Sequence, residues 1–292
     1  MIISYILGGI GNQMFQYAAG RALALQIDQP FAVDLASFSN YSLHHGFELN
    51  RVFNLNVAVA EQSDVQAMLG WRAHPLAIKV LRRAVFSTLC GSKLVIEPHF
   101  NFWPGLLEKT DECYLFGYWQ SERYFKAIES TLRKDFTFRT PLTGRNAELA
   151  IEIARGQTVS LHVRRGDYVS DAKTGKVMDV CSLDYYHAAI NYIAARVSQP
   201  VFYIFSDDIA WVKQNLQLNS PAVYIEHNRQ AESYRDMQLM SLCQHQIIAN
   251  SSFSWWGAWL NSNAEKIVIA PKHWFVNGNS TEDLIPRAWV RL

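Results

Sequence analysis

The sequence predicts an α/β fold built on mainly parallel sheets, and three observations predict it. The chain opens on an apolar run that meets a glycine-rich turn and then a helical pattern. Its second half alternates short apolar runs with amphipathic stretches of helical length. Its 292 residues, 49% hydrophobic and 18% charged, suit a full core, and at roughly 100 to 200 residues per domain they suggest two domains.

The elements follow in order. Residues 2–7 read as a strand, 8–11 as a turn, 12–25 as a helix and 31–35 as the next strand. A mostly helical pattern covers 62–89. It carries Arg72, Lys79, Arg82 and Arg83 beside Leu76, Val80, Leu81 and Val85, which suits an anionic membrane surface or a lipid-linked acceptor, and equally a solvated helix face. A strand is expected at 114–119 and a helix at 122–136. The looser segment 137–146, punctuated by Pro141 and Gly144, marks the domain boundary. The division is accordingly drawn as an N-terminal domain, 1–150, and a C-terminal domain, 151–292. In the latter, strands are expected at 158–163, 201–206, 223–225, 245–249 and 266–270. Helices are expected between them at 183–197, 209–216, 232–243 and 254–261. Such alternation predicts a parallel sheet whose ligand lies beyond the carboxyl ends of its strands.

Charge and cysteine usage exclude some functions. With 27 basic and 26 acidic side chains the chain has no bulk field to gather a nucleic acid. Four scattered cysteines form neither a zinc pattern nor a disulfide framework, so a reducing compartment is expected. Neither a signal peptide nor a membrane-spanning run of about 18 apolar residues is read. A soluble or surface-attached cytoplasmic protein is expected.

Three motifs carry the chemistry. Gly8-Gly9-Ile10-Gly11 permits close backbone approach and delivers Asn12 and Gln13 to a helix start, but its spacing is not the G-x-G-x-x-G dinucleotide fingerprint. His162-Val163-Arg164-Arg165-Gly166-Asp167-Tyr168 follows an apolar strand. Two guanidiniums there suit bidentate binding of a diphosphate, with Asp167 holding one arginine and Gly166 turning the chain; an Arg-Asp pair stapling a turn is the plainer reading. Asn250-Ser251-Ser252-Phe253-Ser254 precedes a helix and offers hydroxyls and N–H groups to a phosphate, with Phe253 flanking a nucleotide. Ser206-Asp207-Asp208 reads as a helix cap rather than a metal site. Trp255, Trp256 and Trp259 read as packing, and Tyr234, Arg235 and Asp236 as a helix face within reach of a base edge. A dinucleotide oxidoreductase and a non-catalytic sugar-binding protein are the rival classes.

Taken together, the blocks 8–17, 162–168, 205–211 and 250–259 resemble the family 11 fucosyltransferases, the bacterial α-1,2-fucosyltransferases. The resemblance implies a GT-B fold of two facing Rossmann-like domains, with the acceptor side on the N-terminal domain, 1–150, and GDP-fucose mostly on the C-terminal domain, 151–292. It implies inverting, metal-independent transfer of L-fucose from GDP-fucose to the 2-hydroxyl of a terminal β-galactoside, with no cofactor beyond the donor substrate; a GDP-fucose-dependent transferase with another acceptor or linkage is the nearer alternative. The acceptor is expected to be a galactose-terminated oligosaccharide, lipid-linked in surface polysaccharide or lipopolysaccharide assembly, with peripheral membrane contact on the inner face of the plasma membrane. Carried onto this chain, Arg164 matches the main phosphate-binding arginine, Ser251, Ser252 and Phe253 a nucleotide-contacting motif, Asp236 the acidic residue for guanosine, and Asn12 the asparagine of the turn reaching the cleft. Arg164 and Arg165 would stabilise the departing diphosphate, and Asp167, Asp171 or His162 would accept the proton.

Overall fold

In a computed structural model, which describes residues 1–40, 45–81, 89–166, 175, 179–276, 278 and 280–292, the opening apolar run becomes β1 (Ile2–Tyr5) and the pattern after the glycines becomes α1 (Ile10–Gln26). The chain divides into two units, Met1–Arg139 and Thr140–Leu292; residue 150 lies inside a helix of the second.

The first unit continues through β2 (Phe31–Asp34), α2 (Leu49–Val52), β3 (Ala58–Val59), α3 (Gln62–Leu69), α4 (Pro75–Leu81), β4 (Leu94–Ile96), β5 (Cys113–Phe116) and α5 (Glu129–Asp135). The five strands lie in the order β3-β2-β1-β5-β4, and every pairing is parallel. The chain moves outward from β1 to β3, then returns on the other side of β1, so the topology switches between β1 and β5. Ile3, Leu69, Leu81, Leu94 and Tyr114 pack in one core on this sheet.

Three expectations for this unit change. The helical stretch from 62 breaks into α3, a 3₁₀ turn at Gly70–Ala73 and α4, because Gly70 takes a left-handed φ of 58° and Pro75 starts a new helix; residues 82–88 lie outside the described residues. The strand expected through 119 stops at Phe116, since the next amides turn to the Glu97 carboxylate. The helix expected at 122–136 begins as two 3₁₀ turns, because Phe125, fully buried, leaves helical geometry at φ −134°.

The second unit starts with α6 (Gly144–Ala154), where a loose segment was expected to end. It is amphipathic, with Leu149 and Ile153 buried four residues apart. Then come β6 (Thr158–Val163), α7 (Leu183–Ala194), β7 (Val201–Ser206), α8 (Ile209–Asn215), β8 (Ala222–Ile225), α9 (Tyr234–Leu242), β9 (His245–Ile247), α10 (Ser252–Leu260), β10 (Val268–Ala270) and β11 (Val290–Arg291). The strand order β11-β10-β9-β6-β7-β8, parallel throughout, is that of a doubly wound sheet. All six residues of β6 are buried, as befits a central parallel strand covered on both faces. One core joins β6, β7 and β9 to α7 and α8 through Leu161, Ile193, Phe202, Val212 and Ile247. A second joins Phe205, Leu149, Leu239 and Met240. The topology switches between β6 and β9, and a ligand crevice is expected beyond their carboxyl ends.

Candidate active site

Beyond β6 the chain delivers His162, Arg164 and Arg165. Strand register decides what they meet. Val163 lies opposite Ser206 on β7, so the next residues, Arg164 and Asp207, are neighbours across the sheet edge. Their side chains form an ion pair at 3.0 Å, about a quarter exposed on each side. The other carboxylate oxygen of Asp207 accepts the Arg165 backbone N–H at 2.9 Å. Asp207 is thus a clamp on the turn after β6, and Gly166 is the residue that lets it close: a Cβ there would sit 2.7 Å from Asp207 Oδ2.

The two arginines are not equivalent. The Arg165 guanidinium lies 3.7 Å from the centre of the Trp211 ring on α8 and 3.8 Å from Asp208, a stacked arrangement that holds it against the helix. Asp208 also accepts the Trp211 N–H at 3.1 Å as the N-cap of α8. The cap expected of the Asp pair therefore belongs to Asp208 and the clamp to Asp207.

On the other side of the switch point, β9 leads to α10. Asn250 is fully buried and donates to the carbonyls of Asp179 at 2.6 Å and Trp274 at 3.0 Å, fixing the turn. Ser251 is the N-cap, its hydroxyl accepting the Phe253 N–H. Ser252 opens the helix and is half-buried. Behind it, Trp255, Trp256 and Trp259 are buried and meet in sequence edge to face, Trp255 on Trp256 and Trp256 on Trp259, so they anchor α10 in the core.

The two sides meet through His162 and Phe253, whose ring centres are 6.0 Å apart. His162 is 5% exposed. Burial drives its pKa down to about 4 against the opposing pull of Asp207, with Arg164 adding to the depression, so the ring is neutral near pH 7. Its Nδ1 is buried without a hydrogen-bond partner, an orphan at the place where the topology expects a ligand.

Asp236 belongs to a different cluster on the same carboxyl edge, beyond β8. It accepts from Asn228 at 2.8 Å, and Asn228 exchanges bonds with Asn146, which also contacts His227. Burial pushes the Asp236 carboxyl up to about 7, the Asn228 bond opposing. Its neighbours are scaffold: Arg235 donates to the Thr140 and Pro141 carbonyls, and Tyr234 is buried.

In the first unit, Asn12 sits at its own switch point, where its side-chain oxygen accepts from Gln120 Nε2 at 2.8 Å. Gly8, at φ 82°, has room for no Cβ beside Asn12. Gln13 turns inward, donating to the Gly8 and Gly46 carbonyls and accepting from Glu48 N–H. Sequence reasoning missed Glu97. Beyond β4, it accepts the Tyr118 and Trp119 amides at 2.7 and 3.0 Å, and burial raises its carboxyl to about 7 against those bonds. No motif marks it; its position beyond a three-residue strand is visible only in three dimensions.

Asp167 and Asp171 lie outside the described residues. Among the described residues no group of three or more His, Cys, Asp or Glu side chains is arranged to hold a metal ion, no helix is long and apolar enough to cross a membrane, and the four cysteines are free.

Two doubly wound parallel units, with cationic and helix-terminal groups at the switch point of one, have the architecture of a glycosyltransferase of the GT-B type. The model of glycosyl transferase family 11 matches residues 106–292. The chain is 35% identical over 298 aligned residues to an alpha-1,2-colitosyltransferase of Escherichia coli, covering 100% of this chain and 99% of that protein. It is 24% identical over 270 residues to galactoside alpha-(1,2)-fucosyltransferase 2 of Sus scrofa, covering 90% and 70%. The fold matches fucosyltransferase NodZ from Bradyrhizobium with a TM-score of 0.54 at 15% identity, over 88% of this chain and 91% of that one. The chain belongs to glycosyl transferase family 11.

Proposed function

We propose that the protein transfers L-fucose from GDP-fucose to the 2-hydroxyl of a terminal β-galactoside, inverting the anomeric centre. The observation that carries this reading is the convergence of Arg164, the buried unpartnered Nδ1 of His162 and the N-terminus of α10 at the β6/β9 switch point. Fixed positive charge and N–H dipoles there suit a diphosphate. Sugar and linkage are supported by the names of the relatives.

The acceptor oxygen attacks the anomeric carbon as the carbon–oxygen bond to the β-phosphate breaks. The electron pair leaves with GDP and the acceptor's proton passes to a base. Charge grows on the departing diphosphate, and Arg164, already oriented by Asp207, stabilises it without reorganisation. Arg165, stacked on Trp211, supports the turn and adds field at longer range. Ser251, Ser252 and Phe253 frame the nucleotide, and Asp236 accepts from the guanine edge. Asn12 serves the acceptor side. For the proton, Asp167 and Asp171 are the better candidates, because His162, with its pKa near 4, is a weak base near neutral pH.

A second reading rests on the 35% identity to a colitosyltransferase: the same site with colitose as the sugar. Colitose differs from fucose in lacking the 3-hydroxyl, and the phosphate-binding groups do not distinguish them. The test is incubation of the purified protein, chelator present, with GDP-linked fucose and colitose and a panel of galactosides, with the product linkage read by NMR. An α-1,2-fucosyl product supports the proposal. Exclusive use of colitose moves it to the second reading, and a different bond or an absolute metal requirement overturns it.

A further inference from the structure

Helix α4 is apolar on two sides. Ile78 and Leu81 are buried in the first unit's core, while Leu76 and Val80, one turn apart, stand 66% and 46% exposed. A helix buried on one face ordinarily turns polar side chains to water on the other. Trp71 and Leu89, flanking the same helix in sequence, are also exposed, so four of the large apolar side chains left in water come from one short stretch. A cluster of this kind marks a contact surface.

Charge selects the partner. Between Asp64 and Glu97 the chain has no acidic residue, yet it carries Arg72, Lys79, Arg82, Arg83 and Lys93, in a protein whose net charge is only +1. Lys79 is exposed on α4 between Leu76 and Val80. Lys93 is already paired with Glu112 at 2.5 Å and is not counted as free charge. Where the end of α3 meets residues 90–93, a cavity of about 300 Å³ is lined by Arg72, Ser92 and Lys93 with Met68 and Leu69. Exposed Leu, Val and Trp, with cations among them and no acids in the segment, fit the acyl boundary and anionic headgroups of a lipid bilayer.

We infer that the surface formed by Trp71, Leu76, Lys79, Val80 and Leu89 seats the protein on an anionic lipid bilayer. None of these residues is among the groups proposed to bind the donor, so the inference stands whether or not the reading of the reaction holds.

The test is sedimentation of the full-length protein with phosphatidylcholine vesicles, with and without phosphatidylglycerol. The wild type pellets with the phosphatidylglycerol vesicles and is released by high salt. The double variant Leu76→Ser/Val80→Ser lowers the partition coefficient at least about tenfold, and Lys79→Glu lowers it at least about fivefold. Both variants keep the wild-type melting temperature, because the changed side chains are exposed. Three results overturn the inference: no partition of the wild type into anionic vesicles, partition undiminished in the folded variants, or concentration-dependent dimers that the double variant abolishes without vesicle binding by the wild type.

Discussion

Asp207 sets the positions of two arginines with one carboxylate, one oxygen on the Arg164 guanidinium and the other on the Arg165 amide. If Arg164 acts mainly on the transition state, Arg164→Ala lowers kcat on the order of 10²-fold or more. Arg164→Lys recovers little, since a point charge lacks the planar fork. Asp207→Ala leaves the guanidinium present but unaligned, and kcat/KM falls by about tenfold, roughly 1.4 kcal/mol. Steady-state kinetics separates these cases, and an Arg164→Ala enzyme with normal turnover defeats the assignment. The raised carboxyls give a pH prediction. Asp236 and Glu97 both titrate near 7 in the folded chain, above their ordinary values, so the native state binds protons more tightly than the unfolded one. Their stabilising contribution is complete at acid pH and is lost as pH rises toward and through about 7. The melting temperature falls over that interval from these groups, and Asp236→Asn and Glu97→Gln each flatten the fall. If ionised Asp236 accepts from guanine, GDP affinity instead rises with pH across the same interval, and Asp236→Asn abolishes the preference for GDP over other nucleoside diphosphates.

Among the elements, β7 lies where its apolar run places it, because a strand buried on both faces is a near-continuous hydrophobic segment, and β6 lies at its expected bounds although Thr158, Ser160 and His162 alternate there with Val159, Leu161 and Val163. The arginine turn, the Asp208 cap and the packed tryptophans were legible for the same local reasons. The Arg164–Asp207 pair was not: the residues are far apart in sequence and meet only through the register of two parallel strands. Stacking of Arg165 on Trp211 was hidden likewise, and β4 and α6 were missed, the one short, the other beginning inside a segment whose Pro141 and Gly144 read as loop. At α10 the two serines are expected to separate by function. Ser251→Ala removes a cap and lowers stability by about 1 kcal/mol, measured by denaturant unfolding. Ser252→Ala leaves stability within experimental error and weakens GDP binding, measured by calorimetry. A Ser252→Ala protein with unchanged affinity removes that hydroxyl from the phosphate site.

On the scale of the whole molecule, the two units repeat one topological idea. Each places a turn and a helix start at the point where its strand order reverses, β1 with β5 in one and β6 with β9 in the other. Each also owns its core: the clusters around Leu161 and Phe205 draw only on residues beyond Thr140, and the cluster around Ile3 and Tyr114 only on residues before it. The division after Arg139 leaves the proposed donor groups, His162, Arg164, Arg165, Asp236 and Ser251 to Phe253, in the second unit. A fragment spanning 140–292 is therefore expected to unfold cooperatively and to bind GDP within about tenfold of the full-length affinity, since a unit of this size can sustain a core of its own. It is expected to transfer no sugar, because Asn12 and the acceptor side proposed for the first unit are absent from it. Calorimetric unfolding, GDP titration and a transfer assay on the same fragment decide the matter. A folded fragment that fails to bind GDP, while the full chain binds it, shows that residues before Thr140 help to hold the nucleotide; a fragment that transfers sugar removes the first unit from the reaction.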